Sequence, residues 1–174
     1  PFYRRLKMLG KRYSESENAT LSQGTFVKKI MSLYSRKPEN DAIDLSLGKM
    51  LMHENLPLRQ YFIDEKDDVI LKILLNCFKA LQSVFRAEWE NSYDNILWKT
   101  TGFGAVIYAF PTLFSLGKEK GQLTESFFEE CFLIFKSNLD KEGICLKRDF
   151  AGGGEQLQKK LSTYITLGIN RDSY

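Results

Sequence analysis

Positive charge is concentrated at the start of the chain. Five cations lie within the first twelve residues, with no acidic residue among them: Arg4, Arg5, Lys7, Lys11 and Arg12. The whole chain has a formal net charge of only +3, so this segment carries more than the net excess. Cations interleaved with the rings of Phe2, Tyr3 and Tyr13 are typical of segments that follow nucleic-acid phosphates and stack on bases. The segment predicts a DNA or other nucleic-acid contact. The alternative, that these charges are solvated or pair with a neighbouring domain, stays open.

A second group of cations precedes a glycine run. Lys147 and Arg148 come shortly before Gly152, Gly153 and Gly154, which lead into an amphipathic segment. Backbone N–H groups of a glycine loop and of the helix start behind it can hold an anion. This arrangement predicts an anion site, and its alternative is a hinge between two packed elements.

The segment 98–104 contains two further glycines. Gly102 and Gly104 follow Thr100 and Thr101, but the spacing does not match a phosphate loop, and Lys99 precedes the glycines where a phosphate-loop lysine would follow them. We expect close helix packing against the missing side chains to be the main reason for both glycines.

Signatures of catalysis and of metal binding are weak. His53 is the only histidine, and the three cysteines, Cys77, Cys131 and Cys145, form no CxxC pair. We expect a surface histidine, no metal site, no catalytic residue and no cofactor. The sequence favours a role without catalysis and leaves the enzyme question open.

The elements that position these residues are predicted to be helices. The 174 residues are 43% hydrophobic and 27% charged, which suits one globular domain, and alternation with period two is nearly absent. We expect an all-α fold of six or seven helices packed around a long central helix at about 65–90. Residues 1–21 form a basic arm and loop that can carry a short strand, 22–168 form the helical core, and 169–174 form a frayed tail.

Several helix boundaries are predicted from capping and from proline. Ser22 and Thr124 each precede an apolar pattern at helical spacing and can cap a helix. Pro111 interrupts an apolar stretch, and a proline inside a helix costs about 3 kcal/mol or more. The sequence therefore predicts two shorter helices that meet near Phe110 and Pro111.

The cellular setting is inferred from what the sequence lacks. No apolar run approaches the roughly 20 residues of a membrane span, and the basic start is not followed by the apolar core of a signal peptide. Unpaired cysteines suit a reducing compartment. We expect a cytoplasmic protein with no membrane partner.

Four stretches of the first 117 residues resemble the C-terminal helical portion of DGQHR-domain proteins. They are PFYRRLKMLG, ATLSQGTFVKKIMSLYS, LPLRQYF and AEWENSYDNILWKTTGFGAVIYAF, in that order. The resemblance implies a helical lobe, a setting among bacterial mobile or defence genes and a role connected with DNA. The Asp-Gly-Gln-His-Arg motif itself is missing, so no catalytic residue carries over. The matching positions to test are Arg4, Arg5 and Lys7 in the opening stretch and Trp98, Lys99, Thr100, Thr101, Gly102 and Gly104 in the central one.

Three functions remain after these considerations. The first is a helical interaction module without catalytic activity that binds DNA or a DNA-associated protein. The second is a homodimer or larger homo-oligomer that buries broad apolar helix faces against a second copy. The third is a nucleotide or phosphate binder that uses the glycine loops.

Overall fold

The structure is a computed structural model that describes residues 1–2, 6–8, 20–51, 54–91 and 95–169. Over these residues the predicted all-α class is confirmed, and six of the α-helices have nine residues or more. The α-helices are α1 (Gln23–Met31), α2 (Pro38–Ser46), α3 (Arg59–Ile63), α4 (Asp67–Val84), α5 (Arg86–Glu90), α6 (Thr100–Glu119), α7 (Glu125–Lys141), α8 (Leu146–Asp149) and α9 (Glu155–Thr166). A 3₁₀ helix, Ile96–Trp98, precedes α6, and two short strands, β1 (Leu6–Lys7) and β2 (Leu21–Ser22), pair in parallel.

Both predicted helix caps are present. The Ser22 hydroxyl accepts a hydrogen bond from the backbone N–H of Thr25 at 3.1 Å, and the Thr124 hydroxyl accepts one from Phe127 at 3.3 Å. Each bond satisfies a backbone donor that the first turn of a helix leaves without a partner. The sequence therefore located the starts of α1 and α7 correctly.

The prediction of one uninterrupted helix over about 65–90 is wrong at a single residue. α4 ends at Val84, and Phe85 has φ −109° and ψ 46°, outside the helical range. The Lys136 ammonium of α7 donates to the Val84 carbonyl at 3.1 Å, an acceptor that a continuous helix would use for its own ladder. α5 then begins at Arg86, and its Trp89 is buried in the core.

The prediction of two helices meeting at Pro111 is also wrong, because α6 continues through the proline. Phe110 and Leu113, on either side of it, are fully buried, whereas Pro111 itself is exposed. Burial of a Phe or Leu side chain contributes about 1.5–3 kcal/mol, so the buried residues of α6 together outweigh the cost of the proline. α6 contacts α9, α7, α1 and the 3₁₀ helix, so it shares the centre of the fold with α4.

The N-terminus is part of the core. The ring of Phe2 lies 4.7 Å from Phe26 and 4.9 Å from Phe78, measured between centroids, and it also contacts Trp98 at 5.4 Å. These distances are typical of aromatic pairs in edge-to-face contact. The expectation that Phe2 stacks on nucleic-acid bases is therefore wrong. The predicted short strand is present as β1, where Leu6 pairs with Leu21.

At the other end, the tail predicted to fray over 169–174 has its first residue in the core. Ile169 is only 4% exposed and belongs to the buried cluster. Residues 170–174 lie outside the described residues.

α2 is the helix with the least support from the core. None of its residues is buried, and Ile43 within it and Leu47 directly after it are more than half exposed. An ion pair joins it to the body: Asp41 of α2 accepts two hydrogen bonds from the guanidinium of Arg59 in α3, one of them at 3.1 Å. Arg59 is 1% exposed, and it also donates to the Tyr34 carbonyl at 3.0 Å.

Candidate functional site

Four of the five arm cations lie outside the described residues: Arg4, Arg5, Lys11 and Arg12. The fifth, Lys7, is exposed in β1 and is paired in the strand register with Ser22. Because Ser22 caps α1, Lys7 lies beside the first turn of that helix. His53, Tyr3 and Tyr13 also lie outside the described residues.

The cations and the glycines of the predicted anion site do not line the same groove. Arg148 forms two hydrogen bonds with the carboxylate of Asp149, at 2.8 and 2.9 Å, and this neighbour raises the pKa of the guanidinium. The groove at the start of α9 is lined by Gly153, Gly154 and the first residues of the helix, with neither Lys147 nor Arg148 in its wall. Glu155 occupies the first turn of α9, where a carboxylate competes with an external anion. The geometry therefore gives the predicted anion site little support.

The glycine loop instead connects two segments that the sequence analysis treated separately. The Thr101 hydroxyl, at the start of α6, donates to the Gly152 carbonyl at 2.7 Å. Gly152 and Gly154 have φ values of +116° and +117°, a region that favours glycine. The loop therefore holds the start of α9 against the start of α6.

The glycines of α6 are required by close helix contacts, in agreement with the expectation from sequence. A Cβ atom at Gly102 would lie 2.3 Å from the carbonyl oxygen of Ile96 and 2.4 Å from Cα of Leu97. A Cβ at Gly104 would lie 2.2 Å from Oε1 of Gln158, a side chain only 5% exposed. Trp98 is likewise buried, whereas Lys99 and Thr100 are exposed.

Gly102→Ala should lower the free energy of unfolding by about 1–3 kcal/mol, the usual range for overpacking against atoms that cannot move. The atoms it meets belong to the backbone of the 3₁₀ helix. Gly24→Ala is the matched control, since a Cβ in that helical position meets nothing within 4 Å, and we expect it to be neutral or to stabilise by up to about 1 kcal/mol. Urea unfolding followed by circular dichroism measures both, and equal effects would contradict the proposed clash with the 3₁₀ helix.

A polar stripe on α1 was missed by the sequence analysis. Thr25, Lys28, Lys29 and Ser32 recur at steps of three and four residues, so they share one face of the helix. They line a cleft of about 550 Å³ between α1, α6 and the start of α9. The sequence contains this signal as the spacing T-x-x-K-K-x-x-S. The helix was predicted from its apolar residues alone, so the polar spacing was not recognised.

The opposite wall of this cleft is mostly apolar. It includes Ile107, Tyr108 and Pro111 of α6, and Leu56 with Pro57 closes one side. Because Pro111 has no N–H, it donates no hydrogen bond to the carbonyl of Ile107 four residues earlier. The cleft therefore combines a cationic helix face with an apolar wall.

Lys29 lies deeper in the cleft than Lys28. Its ammonium donates to Gln158 Oε1 at 2.8 Å and lies 5.1 Å from the centroid of the Tyr108 ring. Burial lowers the pKa of Lys29 below its ordinary value, Glu155 raises it in part, and the neighbouring Lys28 lowers it further. Both close partners of this cation, the Gln158 amide and the Tyr108 ring, are neutral.

Glu155 lines the same cleft but is paired with another cation. Its carboxylate lies 2.7 Å from the Lys159 ammonium, one turn along α9. Hydrogen bonds from Lys159 and then from Tyr108 hold the pKa of this carboxyl below its ordinary value, and it is therefore ionised at neutral pH. The lining of the cleft thus includes two lysines and one carboxylate that is already paired.

Two of the three cysteines are core residues, and the third is a surface thiol. Cys77 and Cys131 are buried, and burial raises the pKa of both thiols, to about 11 for Cys131. Cys145 is exposed. Across the described residues no group of three or more His, Cys, Asp or Glu side chains is placed to hold a metal ion.

None of the described helices has both the length and the apolar character needed to cross a bilayer. Comparisons of the chain with protein-family models, with curated proteins and with solved structures find no match.

Proposed function

We propose that this chain is a helical interaction module without catalytic activity that binds DNA through its N-terminal basic segment. The supporting observation is that the segment is attached to the folded body at three points. Phe2 inserts into the aromatic core, Leu6 and Lys7 pair with β2, and Leu21 is fully buried. Segment 1–21 is therefore bound to the domain on both sides of its cations.

This attachment bears on affinity. A free basic tail loses conformational entropy when it orders on a ligand, and residues already tied to a fold lose less. Arg4 and Arg5 lie in sequence between the anchors Phe2 and Leu6, and Lys11 and Arg12 lie between β1 and β2. The anchors β1 and β2 themselves lie beside the start of α1, because Lys7 pairs with Ser22, the cap of that helix.

The described part of α1 adds charge to the same region. Lys28 is exposed and lies six residues beyond the cap Ser22, about 9 Å along the axis at 1.5 Å per residue. Lys7, opposite Ser22, thus has a second cation within roughly 10–15 Å, a distance of about three to four phosphates along one DNA strand at 3.4 Å per phosphate. The resemblance to DGQHR-domain proteins, with its bacterial mobile-element or defence setting, favours the same proposal.

The test is duplex DNA binding measured by fluorescence anisotropy at several salt concentrations. Replacing Arg4, Arg5, Lys11 and Arg12 by Gln should flatten the plot of log affinity against log salt by about 0.9 for each phosphate that the variant no longer neutralises. Affinity at low salt should fall tenfold or more.

The matched control removes four exposed lysines from other faces, Lys72, Lys79, Lys120 and Lys141, and so changes the net charge equally. We expect this variant to keep most of the affinity and the slope. Equal losses in the two variants would mean that net charge alone drives binding, and no binding by the unaltered chain at low salt would refute the DNA proposal.

A homo-oligomer is the second candidate, and one observation favours it. The segment around α2 exposes Ile43 (57%), Leu47 (63%) and Met50 (93%) to solvent. An exposed apolar group of this kind is typical of a contact surface. Sedimentation velocity at micromolar concentration separates the two candidates, because a monomer would remove the second.

A further inference from the structure

We propose that the cleft between α1, α6 and the start of α9 binds a phosphomonoester of nucleotide size. Its described lining includes neither Lys7 of the basic arm nor the glycines of the two loops, and it shares Lys28 with the proposed DNA surface. Four observations carry the proposal: the polar face of α1, the neutral partners of Lys29, the apolar opposite wall and the volume of the cleft.

Part of the polar face of α1 is covered by protein: Thr25 and Lys29 are partly buried, whereas Lys28 and Ser32 are exposed. Phe26 and Ile30 of the same helix pack against the core, whereas Thr25, Lys28 and Lys29 line the cleft. A helix that only needed to pack against α6 would present apolar residues there. Polar residues in a concave site bind polar groups, either water or a ligand.

Lys29 is a partly buried cation without a carboxylate beside it. Among the described residues no carboxylate oxygen lies within 4 Å of its ammonium, and Glu155, the acid whose charge acts on Lys29, is paired with Lys159. A buried cation is stabilised when an anion completes its surroundings. An incoming anion would also relieve the repulsion between Lys28 and Lys29 that contributes to the lowered pKa of Lys29.

The donors of the cleft match a phosphoryl group. The ammonium groups of Lys28 and Lys29 supply charge-assisted donors, and the Thr25 hydroxyl accepts from Ser22 at 2.8 Å, which leaves its own proton to donate. Three donors that line one cleft suit the three terminal oxygens of a phosphomonoester better than the two oxygens of a carboxylate.

The remaining wall suits the rest of such a ligand. A volume of about 550 Å³ lies within the usual 300–1,000 Å³ of small-molecule sites. Ile107, Pro57 and Pro111 offer an apolar surface for a planar ring. Lys29 and Lys159 both lie over the Tyr108 ring, at 5.1 and 5.7 Å, so that ring is occupied by cations and not open for stacking.

The experiment is isothermal titration calorimetry of the full chain with 5′-AMP, 5′-GMP, 5′-CMP and 5′-UMP, and with inorganic phosphate as the probe of the anion subsite alone. We expect at least one nucleotide to bind more tightly than phosphate. Lys29→Gln and Lys28→Gln should each weaken that binding about tenfold, because a hydrogen bond to a charged group contributes about 1.5–3 kcal/mol and 1.4 kcal/mol corresponds to tenfold. Lys72→Gln, an exposed lysine of α4, is the matched control and should bind as the unaltered chain does.

Two further measurements keep the outcome clear. Circular dichroism melting establishes that each variant is folded, and the variant with four arm substitutions should keep its nucleotide affinity, since it retains Thr25, Lys28 and Lys29. Absence of binding by every nucleotide, or equal weakening by Lys72→Gln, would overturn the cleft proposal. Loss of DNA affinity in the two cleft variants without nucleotide binding would overturn it as well and would assign Lys28 and Lys29 to the DNA surface. Failure of DNA binding alone leaves the nucleotide result unaffected.

Discussion

Asp41→Ala should lower the free energy of unfolding by about 3–5 kcal/mol, the usual cost of removing one member of a buried ion pair. Arg59 is 1% exposed, and Asp41 supplies both carboxylate oxygens to its guanidinium. The lower end of the range is expected, because α2 has no buried residue of its own and can detach to let water reach Arg59. Urea unfolding gives the free energy, and hydrogen exchange of α2 amides reports the detachment.

The neighbouring ion pair of α2 provides the control. Asp44 lies 3.2 Å from Lys49, with side chains 38% and 60% exposed. Exposed pairs contribute about 0–1 kcal/mol, so Asp44→Ala should have little effect. If the two aspartate variants lost the same stability, the buried pair would not be the attachment of α2.

The same pair gives a pH dependence with a definite sign. Hydrogen bonding to Arg59 is the main cause that lowers the pKa of Asp41 below its ordinary 3.8, and Ser35 adds to it. The stabilisation is therefore complete above the unfolded pKa near 4 and is lost as the pH falls through the lowered folded value. Asp41→Asn should reduce the loss of stability as the pH falls below about 4, relative to the unaltered chain.

Local signals in the sequence predicted local structure well. Ser22 and Thr124 located two helix starts because a cap depends on three or four consecutive residues. The apolar spacing within α4, α7 and α9 was sufficient to predict that each is a helix, because this spacing also depends only on residues close in sequence. At Gly102 the expectation of a close helix contact was correct, although the sequence did not reveal that the contact is with Ile96.

The features that were missed depend on distant residues. Phe85 ends α4 while Lys136, more than fifty residues away, donates to the Val84 carbonyl. Asp41 and Arg59 form an ion pair although they are eighteen residues apart. Nothing in the sequence around either residue distinguishes it from an ordinary surface charge. At Pro111 the rule that a proline ends a helix was outweighed by the burial of residues before and after it in α6.

The candidate sites show the same division. The charge of the arm was evident from composition, but the insertion of Phe2 among rings that come from several different elements was not. The stripe Thr25, Lys28, Lys29 and Ser32 follows a readable spacing, yet its meaning depends on α6 and α9 forming the opposite wall. A polar helix face without that wall is simply a solvated surface.

Trp98→Ala should destabilise the protein by about 3–5 kcal/mol, the usual range for removing a large buried aromatic side chain. Trp98 is 1% exposed, and its ring lies 3.8 Å from that of Trp89 and 5.4 Å from that of Phe2. Its indole N–H donates to the Trp89 carbonyl at 3.2 Å, and its own carbonyl accepts from the Thr20 hydroxyl at 2.9 Å. It therefore joins the N-terminal segment to α5 and to the start of α6.

Two comparisons separate this structural role from a role in ligand binding. Lys99→Ala, at the next and exposed position, should change stability by no more than about 0.5 kcal/mol. The stability of Trp98→Phe should lie between those of Trp98→Ala and Lys99→Ala, because phenylalanine keeps an apolar ring but cannot supply the indole donor to the Trp89 carbonyl. Amides of β1 and β2 should exchange faster in Trp98→Ala than in Lys99→Ala, since Phe2 then has no indole ring at position 98 to pack against. A Trp98→Ala variant of unchanged stability would show instead that the conspicuous central stretch of the sequence is not required by the fold.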